Sequence, residues 1–360
     1  MINKNILTAA CLILLSNNAV AGEWNFEVMG KARGLFGYSD FDSAYSYHQS
    51  RYNLPMRFDT NLLAQYSFND EYQFGAYLDL AYGVDQELKD YNHGSWGEEA
   101  YLIFDSPYGR FVGGQSYNAA YQLGVGAPDI GGLGVNQSDI VNFVSNPNWQ
   151  RNHLGTAYKT LNSTEINTDG TAPKITYISP EYDGMMYGLT YVPNIYSRDG
   201  LVNRHASYKN KDGYIASIYH NTEYDNLSIS VSVGAAHYED TDNELSGGMS
   251  FYYKGWTLGG SVRKTFANHK MSDISDYDHF REGLAYNAGL GYEIGPFKSA
   301  LTYFYSRADN LDYEDKIIQL AGSYQLNKNW KIQLAVAHGD YEGDENNQGY
   351  AFISGVEFKF

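Results

Sequence analysis

Several charged residues that could act on small molecules are spaced two positions apart in this sequence. Lys31 and Arg33 are two residues apart, and Arg57 is two residues before Asp59. Side chains two apart on an extended strand project from the same face. These basic groups would share one polar face, solvated there or paired with Asp59. Fixed charges on such a face attract and orient ions and polar molecules without breaking bonds.

Residues for covalent chemistry are scarce in the chain. The single cysteine, Cys11, lies in the apolar N-terminal stretch, and the 9 histidines are scattered. The sequence contains no H-E-x-x-H, G-x-S-x-G or Walker-type motif. We therefore expect that the protein is not an enzyme and that it holds neither a metal ion nor a cofactor.

The first 21 residues have the layout of a cleaved export signal. Lys4 precedes the apolar stretch Ile6–Leu15, and the segment ends in small residues at Ala19 and Ala21. This is the A-x-A pattern that signal peptidase cuts. The apolar stretch is shorter than the about 20 residues that a membrane helix needs. We predict a signal peptide over residues 1–21 and a mature chain over residues 22–360, without cysteine.

The mature chain is strongly acidic. Lys4 is the one charged residue of the signal, so 24 basic residues remain against 42 acidic ones, a net charge of −18. A protein that binds nucleic acid needs a basic face for the phosphates, so we expect no nucleic-acid partner. The acidity fits solvated loops, a surface that holds divalent cations, or a water-filled lumen that favours cations.

The elements that position these residues are indicated by alternating apolar and polar side chains. Segments 56–68, 227–235 and 330–336 alternate residue by residue. Each strand would have one apolar and one polar face, as in a soluble β-sandwich or a membrane barrel. Aromatic residues such as Trp256 and Trp330 stand at strand ends, where a bilayer interface favours them. The pattern therefore predicts an all-β protein, a transmembrane antiparallel β-barrel.

The number of strands can be counted from the positions of the turns and loops. Short turns alternate with longer polar segments, as on the two rims of an outer-membrane barrel. We count about sixteen strands, an even number that leaves no unpaired edge in lipid, and a barrel of this width encloses an aqueous channel. The predicted strands are 24–37, 54–68, 71–84, 95–105, 109–116, 173–180, 184–193, 211–222, 225–239, 243–254, 256–267, 282–294, 296–308, 312–326, 329–341 and 347–360.

One long stretch, residues 116–172, breaks the alternation. It contains the glycine-rich run 124–134 together with apolar residues such as Ile130 and Trp149. A connection of this length in a compact fold is usually functional or disordered. Because its apolar groups need cover, we predict that it folds inward onto the barrel wall as the third loop. The course of residues 151–172 stays open.

Four parts of the sequence, in the same order, resemble the general diffusion porins of Gram-negative bacteria, a trimeric family with sixteen strands. Residues 30–35 resemble the opening strand, 106–114 the approach to the third loop, and 128–132 the tip of that loop. The C-terminus resembles the terminal aromatic signal of the family. By this resemblance, Phe358 and Phe360 would be recognised by the barrel-assembly machinery.

The resemblance implies a constriction where acids of the third loop face basic residues of the wall. Asp129 matches the loop acid, and Lys31 and Arg57 match inward basic positions of the first two strands. Alternation places Arg33 on the same face as Lys31. Asp139 would be a second loop acid, on the constriction or beside it.

The wall departs from the family pattern at Glu99, which stands on the fourth strand about where the family often has an arginine. The wall would therefore be partly acidic. Two glycine pairs, 113–114 and 259–260, could let subunits approach closely or kink their strands.

Together these features lead to an expected function. The protein would be a homotrimeric, water-filled channel in the outer membrane of a Gram-negative bacterium, surrounded by lipopolysaccharide and other outer-membrane lipids. Small hydrophilic solutes and ions would diffuse through it passively, with a mild preference for cations. The alternative is a substrate-selective channel, for example for a sugar. Its only hints are Tyr77 and Tyr101, which have the inward phase of their strands.

Overall fold

The computed structural model of the chain describes residues 22–41, 52–54, 56–83, 99–130, 150–152, 155–157, 161, 163–194, 212–239, 242–267, 282–309, 312–343 and 346–360. The signal peptide predicted over residues 1–21 and the predicted site residue Asp139 lie outside these ranges. Within them, no helix has the length and apolar character needed to cross a membrane.

The described chain consists almost entirely of antiparallel strands. One short helix, α1 (Ala119–Gln122), interrupts them. The strands are β1 (Glu23–Phe41), β2 (Tyr52–Asn53), β3 (Met56–Ser67), β4 (Gln73–Gly83), β5 (Glu99–Ser106), β6 (Gly109–Gln115), β7 (Gln150–Asn152), β8 (Gly155–Ala157), β9 (Pro173–Ile178), β10 (Met185–Val192), β11 (Gly213–Tyr224), β12 (Leu227–Tyr238), β13 (Asp242–Tyr253), β14 (Trp256–Ala267), β15 (Gly283–Ile294), β16 (Phe297–Ala308), β17 (Glu314–Gln325), β18 (Trp330–Glu342) and β19 (Asn347–Lys359).

The main sheet closes on itself. Its 17 segments make sixteen wall strands, because β2 and β3 both pair with β1 and act as one strand. Each wall strand pairs with the next along the chain, β6 pairs with β9, and β1 pairs with β19 to close the ring. The predicted sixteen-stranded antiparallel barrel is confirmed. The hairpin of β7 and β8 lies apart from this sheet and was not predicted.

Most strand limits agree with the predicted ones to within a few residues. The largest extension is at β1, which runs to Phe41 because its last residues pair with β19 as far as Gly349. The predicted first strand, 24–37, therefore ends four residues too early. Hydrogen bonding to the neighbouring strand, rather than hydrophobicity, fixes the end of this strand.

The alternation separates a lipid face from an inner face. Leu320 of β17 and Leu334 of β18 are 56% and 60% exposed, whereas the neighbouring Gln319 and Gln333 are 1% and 0% exposed. A soluble sandwich would bury the leucines. Exposed apolar side chains beside buried polar ones are the arrangement of a barrel with lipid outside.

Part of the inner face is apolar, contrary to the uniform polar lumen that alternation predicts. Inward residues of β1 and β15–β19 form one buried cluster with Ile130 and Leu161 of the stretch 116–172. The wall residues of this cluster are Leu35, Ala285, Ala300, Phe304, Ile317, Ala321, Ala335, Ala337, Tyr341, Ala351 and Ile353. The inward fold of the long loop explains the difference, because a wall covered by protein gains from apolar contacts.

The chain end lies on the rim where the first and last strands meet. Gly30 and Phe360 exchange two backbone hydrogen bonds, of 3.1 and 3.0 Å. A Cβ atom at Gly30 would lie 2.0 Å from the tip of the Phe360 ring, so a larger residue there would displace this ring. Phe358 stacks on Phe360 with ring centroids 6.1 Å apart, and its ring is tilted by 41° against that of Trp330 at 4.7 Å. Recognition of this pair by the assembly machinery remains a prediction.

Candidate functional site

The first part of the long loop, residues 116–130, runs along the inner wall from β6 to β15. It begins with α1, whose first turn is capped by the Asn118 side chain accepting from Tyr121 N at 2.9 Å. Wall side chains satisfy backbone amides that no longer belong to a sheet. Three such bonds are Ala119 N to Thr190 Oγ1 at 2.9 Å, Val125 N to Ser232 Oγ at 2.9 Å and Ala127 N to Asn287 Oδ1 at 3.1 Å.

Inward glycines of the wall let this loop lie flat. A side chain at Gly248 of β13 would come within 1.8 Å of the Val125 carbonyl oxygen, and one at Gly259 of β14 within 2.6 Å of the Gly126 oxygen. Gly289 and Gly291 of β15 lie under the ring of Pro128. We call these four positions the glycine row. The interpretation of Gly259 as a subunit contact is wrong, because this residue lies in the lumen beneath the loop.

The returning part of the loop, residues 163–172, is held by a buried ion pair at the start of β9. Lys174 Nζ lies 2.6 Å from Asp169 Oδ2, and both side chains are fully buried. Asp169 also accepts hydrogen bonds from Asn118 Nδ2 at 2.6 Å and from the Tyr238 hydroxyl at 3.1 Å. These contacts tie the beginning of the loop, its return and two wall strands together at one point.

A second buried pair holds the middle of the return. Arg263 of β14 lies 2.8 Å from Glu244 of β13, and their side chains are almost fully buried. The same guanidinium donates to Asn167 Oδ1 and Thr168 Oγ1, at 2.8 Å each. The Thr168 hydroxyl in turn donates to the Glu244 carboxylate. Because every member is bonded to others, this network defines one position for residues 167–169.

Sequence reasoning missed both ion pairs. Arg263 has the inward phase of its strand, between Ser261 and Thr265, and that signal could have marked it. No comparable signal identifies its partners on the loop, since the contacts join residues about ninety positions apart.

The predicted basic residues lie on the inner face of β1 and β3. Lys31 Nζ is 3.2 Å from Asp59 Oδ2, and Arg57 Nε is 2.5 Å from Asp59 Oδ1. Of the alternatives left open by the sequence, pairing with Asp59 therefore holds for these two. Arg33 lies between Arg57 and Glu357 in the strand register. The three basic residues thus share one section of the wall.

The predicted acids of the site lie on other sections. Glu99 begins β5 and accepts a hydrogen bond from Tyr117 N at 3.3 Å, where the long loop leaves the wall. Asp129 is exposed and follows Pro128, which packs on β15. In ring order β15 is the twelfth wall strand and β3 the second, so Asp129 and Arg57 belong to well-separated parts of the wall.

Two stacked pairs of tyrosines flank Glu99. Tyr77 of β4 and Tyr101 of β5, both inward as predicted, have ring centroids 4.8 Å apart with 24° between the planes. Tyr117 and Tyr121 at the start of the loop stack at 4.1 Å and 12°. All four side chains are partly exposed. We call these four residues the tyrosine face. From the sequence, only a general need for cover of the apolar residues in the stretch 116–172 was expected.

Two buried acceptors lie beside this face. Asn61 of β3 and Asp79 of β4 are directly opposite each other in the strand register. The Oδ1 atom of each is buried and receives no hydrogen bond from the residues that the structure describes. Asp79 in turn is opposite Glu99 on β5. In the described parts of the chain, neither carboxylate takes part in an ion pair.

Three solved structures of outer-membrane proteins have a similar fold. The anion-selective porin from Comamonas acidovorans is 14% identical with a TM-score of 0.62, over 94% of this chain and 100% of that one. OmpF of Salmonella typhi in complex with daunomycin is 13% identical with a TM-score of 0.62, over 93% and 97%. OmpT of Vibrio cholerae in its trimer form is 11% identical with a TM-score of 0.60, over 94% and 99%.

At these identities the likeness concerns the fold alone. Among curated proteins, none matches the sequence. The sequence profile of a family described as Gram-negative porin, in contrast, matches residues 7–344, nearly the whole chain. The chain therefore belongs to the Gram-negative porin family, a family of outer-membrane channels.

Proposed function

We propose that this outer-membrane channel is a water-filled pore for the passive diffusion of small hydrophilic solutes and ions, and that it catalyses no reaction. The observation that carries the proposal is a closed sixteen-stranded barrel with a long loop along its inner wall. Such a barrel is too wide to be filled by its own side chains. The predicted signal peptide over residues 1–21 would direct its export.

The constriction that we propose is lined by Lys31, Arg33 and Arg57 on the wall and by Asp129 and Asp139 of the long loop. Glu99 adds a carboxyl group at the base of that loop. The position of Asp129 near β15, far around the ring from β3, supports a field directed across the lumen. Such a field orients water and solutes as they pass.

A mild preference for cations follows from how these charges pair. Asp59 forms ion pairs with both Lys31 and Arg57, whereas Asp79 and Glu99 form no ion pair with the residues that the structure describes. In a tenfold gradient of potassium chloride, we expect a reversal potential whose sign shows that potassium crosses the channel more readily than chloride. Replacing Asp79 by Asn together with Glu99 by Gln should bring the permeability ratio towards one.

Glu342→Gln is the matched control, since it removes an acidic charge that is paired with Lys316 at the end of β18. It should leave the reversal potential unchanged. A reversal potential of the anion sign in the unaltered protein would rule out the cation preference, although not the channel.

We also propose that the channel is a homotrimer in contact with lipopolysaccharide and other outer-membrane lipids, assembled through Phe358 and Phe360. OmpT of Vibrio cholerae is described in its trimer form, which supports this assembly. We predict that in planar bilayers each inserted unit closes in three equal conductance steps under high voltage. Units that close in a single step would contradict the trimer.

A second candidate function is a sugar-selective channel, which the stacked Tyr77 and Tyr101 favour. Aromatic faces bind the apolar faces of sugar rings. Saturation of the single-channel current by one sugar, without saturation by its isomers, would favour this function over general diffusion.

A further inference from the structure

We propose that the tyrosine face, with Asn61, Asp79 and Glu99, is a binding site for solutes that carry an ammonium group on an apolar body. The proposal rests on the diffusion channel above and names the class of solute that this channel favours. The carboxylates of Asp79 and Glu99 would attract the ammonium group, with Asn61 beside them, and the tyrosine rings would cover the apolar part.

The aromatic part of the site consists of two preformed pairs. Tyr77 stacks on Tyr101, and Tyr117 stacks on Tyr121, so that each pair supports the orientation of its rings. Tyr101 is opposite Gly114 in the strand register, and a side chain at Gly114 would come within 3.0 Å of the Tyr101 Cβ atom. The electron-rich faces of phenol rings attract cations. All four rings stay partly exposed and therefore reachable from the lumen.

The polar part of the site offers acceptors. Asn61 Oδ1 and Asp79 Oδ1 are buried atoms without a described hydrogen-bond donor, and they face each other across β3 and β4. Glu99 lies on the adjoining strand, opposite Asp79, and receives one backbone amide. An ammonium group has only donors and a positive charge, so it matches this set.

The basic groups near these acceptors form ion pairs with other carboxylates. Lys31 and Arg57 both lie against Asp59, and Lys174 lies against Asp169 and two loop carbonyls. No described basic group forms an ion pair with Asp79 or Glu99. No ion pair among the described residues therefore competes with a positively charged solute for these two carboxylates.

The test compares cyclohexylammonium with cyclohexanol, which has a similar shape but no charge. Single channels of the full protein in potassium chloride would be titrated with each compound, and the transient reduction of current measured. We expect saturable block by cyclohexylammonium only. Asp79→Asn and Tyr101→Leu should each weaken that block by about three- to ten-fold, the range expected for loss of one cation–aromatic or charge contact.

The control is Tyr219→Leu. Tyr219 lies on the inner face of β11, away from the site, and its hydroxyl bonds to Ser230. This variant should keep the block of the unaltered protein. Heat-dependent gel mobility of each variant verifies that its barrel is folded, and Asp79→Asn preserves the shape of the side chain.

Equal effects of the two compounds on a channel that conducts potassium chloride would overturn the proposal and leave the diffusion function intact. Saturation by one sugar, without block by cyclohexylammonium, would also overturn it and favour the sugar channel. A folded protein that conducts no ions would refute the diffusion function and, with it, this site.

Discussion

Lys174→Met should release the returning part of the long loop from the barrel wall. The substitution leaves Asp169 as a buried carboxylate whose cationic partner, 2.6 Å away in the unaltered protein, is gone. Removal of one partner of a buried pair costs about 3–5 kcal/mol. The released form should therefore become roughly 10²- to 4 × 10³-fold more populated. Faster hydrogen exchange of the amides of residues 163–172, followed by mass spectrometry, is the measurement.

A double variant provides the decisive control for this prediction. Lys174→Met combined with Asp169→Asn removes both charges, so no uncompensated charge stays buried, and most of the protection should return. Lys331→Met breaks a partly buried pair with Glu357 on another section of the wall. It should leave exchange in residues 163–172 unchanged. Full protection in the Lys174 single variant would show that this pair does not hold the loop.

Gly248→Ala should displace the loop and lower the conductance of the channel. The new Cβ atom would lie 1.8 Å from the Val125 carbonyl oxygen, less than the 3.4–4 Å of ordinary contact. The wall strand is fixed by its two neighbours, so the loop must move inward by more than one ångström. Overpacking of this kind costs about 1–3 kcal/mol. We expect a smaller single-channel conductance and noisier open levels in planar bilayers.

The next residue of the same strand supplies the matched control. Gly247 points to the opposite face, where the nearest atom to an added Cβ would be 3.7 Å away. Gly247→Ala makes the same chemical change and should conduct as the unaltered protein does. Equal conductance of the two variants would mean that the loop does not rest on the glycine row in the membrane.

The barrel could be predicted from the sequence because water and lipid act on every strand in the same way. The exposed Leu334 and the buried Gln333 follow from a local rule, that successive side chains face opposite sides. The same rule placed Lys31, Arg33 and Arg57 on one wall, and their pairing with Asp59 was one of the open alternatives. Local patterns sufficed for these features.

The internal arrangement of the loop could not be predicted in this way. The pairs Lys174–Asp169 and Arg263–Glu244 depend on which loop residue meets which strand, and periodicity has no information on such distant contacts. The apolar inner residues, such as Leu35 and Ile353, were unexpected for the same reason. Whether an inward residue is polar or apolar depends on whether the loop covers it. The alternation along its own strand does not indicate this.

The pairing of the first strand with the last has a consequence for biogenesis. Hydrogen bonds from Lys31 to Phe41 on β1 are completed only by residues near the C-terminus, from Gly349 to Lys359. A nascent polypeptide that lacks these final residues leaves both β1 and β18 with an open edge, which lipid cannot satisfy. Membrane integration must therefore wait until β19 has been made, and chains truncated before Gly349 should fail to form a stable barrel in the membrane.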